Sequence, residues 1–68
     1  MIRAKWHPFV DSDEWREGTV LVDLRHITGE NAVRVCRDMD SVIVDLPADC
    51  VMILNKNTTT GNDWEWLA

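Results

Sequence analysis

His7, His26, Cys36 and Cys50 are the side chains of this sequence best suited to covalent chemistry. A thiol becomes a working nucleophile when an imidazole stands within hydrogen-bond reach to take its proton. Each histidine closes a strand-like run, His7 directly before Pro8, and nothing local pairs either ring with a thiol. The same four residues, with Asp11 and Asp13, are the candidate metal ligands. A structural zinc site draws its ligands from closely spaced pairs, and the cysteines lack C-x-x-C spacing. Asp11-x-Asp13 opens as a calcium loop would, but Trp15 and Arg16 occupy its fifth and sixth positions, and the glycine and closing glutamate are missing. Asp38-x-Asp40 fails in the same way. The glycines stand alone at 18, 29 and 61, so no loop cradles a phosphate. The chain therefore reads as non-catalytic, with no metal and no cofactor.

Charge narrows the ligand classes. Twelve acidic residues face seven basic ones, a net charge of −5. Affinity for nucleic acid comes from clustered Lys and Arg; here the basic residues are scattered from Arg3 to Lys56, so no nucleic-acid ligand is expected. Acids gather between Asp11 and Glu17 and recur at Asp38 and Asp40, which reads either as a solvated loop or as a surface for a basic partner. No apolar run approaches the ~18 residues that span a bilayer, and no signal segment opens the chain. The reading is cytoplasmic, with no membrane partner and with reduced thiols in or partly in the core; a Cys36–Cys50 disulfide stays open. Asn57-Thr58-Thr59 fits a glycosylation sequon but without secretion marks only a polar loop.

The elements that must carry these residues have the two-residue period of strands. Ile2, Ala4 and Trp6 share one face of a first strand, and Pro8 ends its pairing. Asp11–Glu17 reads as a long polar loop, with a helical turn over Ser12–Arg16 as an option. Thr19–His26 alternates, with Val20, Val22 and Leu24 on one face. After turn residues Thr28–Asn31, Ala32–Arg37 turns Val33 and Val35 inward, Asp38–Ser41 has hairpin length, and Val42–Leu46 sets Val42, Val44 and Leu46 on one face. Pro47–Cys50 suits a 3-10 turn, Val51–Leu54 is a short strand, and Asn55–Asp63 is a polar linker before Trp64-Glu65-Trp66-Leu67.

That order of pieces, from Trp6 to Leu54, resembles the SH3-like small barrel. The similar features are the acidic loop ending at Gly18, the hairpin of Ala32–Arg37 with Val42–Leu46, and the proline-led turn Leu46-Pro47-Ala48-Asp49-Cys50-Val51. The resemblance implies an all-β, five-stranded barrel over residues 1–54. Residues 55–68 then form a linker and a Trp-rich segment able to add a strand. The polyproline groove of such domains is built from tyrosines and a tryptophan. This chain has no tyrosine and none of its tryptophans lies between Thr19 and Leu54, so architecture carries over and ligand preference does not.

Binding capacity sits in the aromatic residues. The chain holds four tryptophans, one phenylalanine and no tyrosine, and a buried tryptophan contributes ~150–250 Å² of contact area. Trp64 and Trp66 share a face if the tail is extended; they either fold back beside Trp6 or anchor a partner or a second copy. Trp15, among Asp11, Asp13 and Glu14, either plugs the barrel or stands as an anchor rimmed by charge. The expected function is a protein-binding module, a small regulator or inhibitor of the kind that viruses and mobile elements encode. The alternative is a structural subunit of an oligomeric assembly.

Overall fold

The computed structural model describes residues 2–54 and 63–68; the sequon and most of the polar linker lie outside them. The fold is all-β. Six strands form one antiparallel sheet: β1 (Ile2–Trp6), β2 (Arg16–Asp23), β3 (Ala32–Arg37), β4 (Ile43–Pro47), β5 (Val51–Leu54) and β6 (Trp64–Trp66). Their spatial order is β4-β3-β2-β1-β5-β6. No ladder joins β4 to β6 among the described residues, so the sheet is open where the sequence led to a closed five-stranded barrel. Two 3-10 turns complete the fold, Leu24–His26 and Ala48–Cys50.

The period-2 pattern places the core. Ala4 and Trp6 on β1, Val33 and Val35 on β3 and Val51 on β5 form one buried cluster, with Val20, Val44, Leu46 and Leu67 packed against it. Trp6 is its largest member and owes its place to Gly18. The register sets Ala4 opposite Gly18 and Trp6 opposite Arg16 on one side and Val51 on the other. A Cβ at position 18 would fall well inside contact distance of the Cys36 carbonyl oxygen and 3.0 Å from Trp6 Cη2. Only glycine lets β2 pass this close to the indole and to β3.

Several boundaries differ from the sequence reading, each for a tertiary reason. Arg16 and Glu17 belong to β2, because Trp6 and Lys5 supply their cross-strand partners. The helical turn over Ser12–Arg16 does not form; instead the Ser12 hydroxyl accepts from the Glu14 N–H at 3.0 Å. At its other end β2 stops at Asp23, whose carboxylate caps the turn by accepting from Arg25 N–H. A register shift between Val20 and Val22 precedes that stop and turns Leu24 into the core. Pro47 ends β4 and leads into the second turn, as its missing N–H and fixed φ favour. The cysteines are separate thiols, Cys36 half-buried and Cys50 exposed rather than semi-buried. Trp64–Trp66 pairs with β5, not with the first strand as expected, because β1 already has β2 and β5 on its two edges.

Two consequences can be measured. Gly18→Ala is expected to cost about 2–3 kcal/mol in urea unfolding, since the clash is with backbone that the sheet holds in place. The second concerns acid. Two side-chain hydrogen bonds from Arg25 hold the Asp23 carboxyl down from 3.8 to about 2. A depressed folded-state value stabilises the fold above pH 3.8 and is lost as pH falls towards 2. Asp23→Asn should therefore lower stability at neutral pH and flatten its decline across that window, read by unfolding at fixed pH steps.

Candidate functional site

The outward face of β1 gathers side chains that lie far apart in sequence. Alternation turns Lys5 away from the core, since Ala4 and Trp6 point into it. Its Nζ lies 4.4 Å from the Trp15 ring centroid and 4.6 Å from that of Trp64. Trp15 also meets the His7 imidazole, centroids 3.7 Å apart and planes tilted by 31°. His7 Nδ1 donates to the Glu14 carbonyl at 2.6 Å, which fixes the ring against the loop. The result is a row, His7–Trp15–Lys5–Trp64, in which one ammonium is held between two indoles. The loop tryptophan and the tail tryptophan, which the sequence offered as separate candidates, thus belong to one surface.

Around the corner from this row lies an apolar groove of about 610 Å³ between the loop after β1 and the second 3-10 turn. Phe9 and Val10 stand on one wall, 73% and 99% exposed; Trp66, 55% exposed, and Cys50 stand on the other. Trp66 faces this groove, and Trp64 is half-buried against Lys5. Phe9 and Val10 were not singled out by sequence reasoning. The usable signal was two consecutive large apolar residues behind Pro8, inside a segment too short and irregular to bury both.

Electrostatics leave the surface acidic. Each arginine is committed to an acid within the chain: Arg3 to Asp38, Arg16 to Glu14, Arg25 to Asp23, Arg34 to Asp45 and Arg37 to Asp40. These pairs are largely exposed and add little stability one by one, but they occupy the cations. The carboxyls of Asp38, Asp40 and Asp45 are held below the usual range by hydrogen bonds from Arg3, Arg37 and Arg34. Among the described residues Asp11 and Asp13 form no ion pair, and Glu17 acts on Arg3 through space. Of the acidic candidates, Asp11 and Asp13 are thus unpaired among the described residues, and Glu14 is taken up by Arg16 at 3.2 Å and, through its carbonyl, by His7.

Among the described residues no three His, Cys, Asp or Glu side chains gather as metal ligands do. No described helix is long and apolar enough to cross a membrane. Fold and surface together define an all-β domain of one six-stranded antiparallel sheet with an aromatic row beside an apolar groove. Set against known protein families, characterised proteins and solved structures, the chain matches none.

The row makes a prediction of its own. Lys5→Met keeps the aliphatic stem and removes the ammonium. A double-mutant cycle of Lys5→Met with Trp15→Leu should give a coupling of about 0.5–1 kcal/mol, in the range of an exposed cation–π contact. Additive single changes would show that the rings hold each other without the cation.

Proposed function

We propose that this chain is a non-catalytic protein-binding module whose contact surface runs from Trp15 and the Asp11–Glu14 loop to Trp66. The observation that carries the reading is the meeting of loop and tail. Trp15 and Trp64 close on one Lys5, beside a groove that leaves Phe9, Val10 and Trp66 exposed. Apolar rings of this size left open to water are the usual anchors of protein interfaces. With every arginine engaged internally, what such a surface offers a partner is apolar area and negative charge. That combination fits a protein with an apolar anchor among basic residues, and it disfavours nucleic acid, whose phosphates need uncommitted cations.

The SH3-like reading of the architecture belongs to the same proposal. It is supported by the order β4-β3-β2-β1-β5, by the long connection between β1 and β2, and by the 3-10 turn that leads into β5. A small acidic domain of this kind suits a cytoplasmic regulator or inhibitor that blocks a basic surface. The alternative, a subunit of a larger assembly, draws on the same exposed rings.

The test is capture from native lysate with the full chain, beside Trp15→Ala, Trp66→Ala and Asp11→Asn/Asp13→Asn forms that keep the wild-type circular dichroism. One partner is expected, bound at least about tenfold more weakly by each tryptophan variant and more weakly still at raised salt. Recovery of large uniform particles of the chain, with no second protein, would turn the reading to the structural subunit.

A further inference from the structure

β4 is a sheet edge that lacks most of the usual protection. Natural edges are blunted by lysines, bulges, prolines or extreme shortness. β4 runs for five residues, carries no lysine and pairs with β3 in one unbroken register from Ile43 to Pro47. Its hydrogen-bonding phase is fixed at both ends. Arg37 N–H donates to the Val42 carbonyl at 2.9 Å, and Ala48 N–H to the Asn31 carbonyl at 3.1 Å. Alternation between these two bonds turns the backbone groups of Val44 and Leu46 toward β3 and those of Ile43, Asp45 and Pro47 outward. Pro47, with no N–H to offer, stands at an outward position, where an edge tolerates it.

The outward backbone groups are self-complementary. We propose that two copies of this chain pair β4 against β4 in antiparallel fashion, Ile43 of each opposite Asp45 of the other. In that register both outward N–H groups of each copy meet carbonyls of its mate. Val44 then lies across from its own equivalent, and Val42 across from Leu46. Val42, 43% exposed, and the half-buried Val44 and Leu46 share the face that continues the core. The opposite face carries Ile43, 59% exposed, and the Arg34–Asp45 pair, joined at 2.8 and 3.1 Å. In this register each Asp45 lies beside the mate's Ile43 and diagonal to the mate's Asp45, and each carboxylate keeps its own copy's Arg34 as counter-ion.

The pairing is closed. Pro47 gives no N–H to extend the ladder, and the opposite edge of the sheet, β6, has only three residues. An edge-to-edge contact with a two-fold axis uses up both edges it joins, so it ends at two chains. The pairing adjoins the partner-binding surface, since Leu46 and Pro47 of β4 also line the groove beside Phe9.

Amide exchange and solution mass test it on the full chain. With rising concentration, sedimentation should show the 7.9 kDa species give way to one of twice that mass. The amides of Ile43 and Asp45 should gain protection in step with it, while those of Val44 and Leu46 are protected throughout. Val42→Lys places an ammonium against the mate's Leu46 and should weaken dimerisation at least about tenfold, with the monomer's circular dichroism unchanged. A single-chain mass at millimolar concentration would overturn the proposal. So would a dimer in which Ile43 and Asp45 exchange as freely as in the monomer, which would place the contact elsewhere, such as the groove beside Phe9.

Discussion

The burial of Trp6 beneath Gly18 is the constraint from which the rest of this small domain follows. A chain of 68 residues has little surface to remove from water, and a domain of about that size hides only ~60% of what its unfolded chain exposes. One indole at the centre of the sheet supplies much of the needed volume. To cover it, β1 must have a strand on each side, and the neighbouring strand must lack a side chain where the indole lies against it. Gly18 meets the second demand; the pairing of β1 with both β2 and β5 meets the first. Once β1 is central its own edges are filled; β6 attaches at β5, and β4 is left outermost among the described strands.

The same economy explains the surface. With the core spent on Trp6 and small aliphatic residues, the other large rings have no interior to enter. Trp15 and Trp64 are held by a lysine instead, and Phe9, Val10 and Trp66 remain in contact with water. The arginines follow a parallel rule. Each is bound to a nearby carboxylate, often across a strand or a tight turn, and among the described residues Asp11 and Asp13 of the irregular loop stay outside these pairs.

Most of the strands were legible because alternation is a local signal. β3 and β5 have the bounds the pattern gives, and Val33, Val35 and Val51 are as buried as their positions imply. The all-β class and the turn after Pro47 were legible for the same reason. What could not be read was anything decided by a neighbour distant in sequence. Arg16 and Glu17 look like loop residues until β1 lies beside them. Leu24 continues a strand pattern until Asp23 caps a turn. At the site, Trp15, Trp64 and Trp66 could be named from residue type alone. Their meeting over Lys5, and the groove walled by Phe9, depend on where the tail pairs, and no local pattern encodes that.

The strand order also has a meaning in time. β1 leaves the ribosome first, yet its second neighbour, β5, is among the last strands to be made. Until Val51–Leu54 has emerged, Trp6 is covered on one side only, while the β2–β3–β4 meander already has all its internal partners. The nascent chain therefore carries an unsatisfied tryptophan and an open strand edge from the emergence of β1 to that of β5. The interval in which it is most exposed to wrong partners ends only when the C-terminal third arrives to close over it.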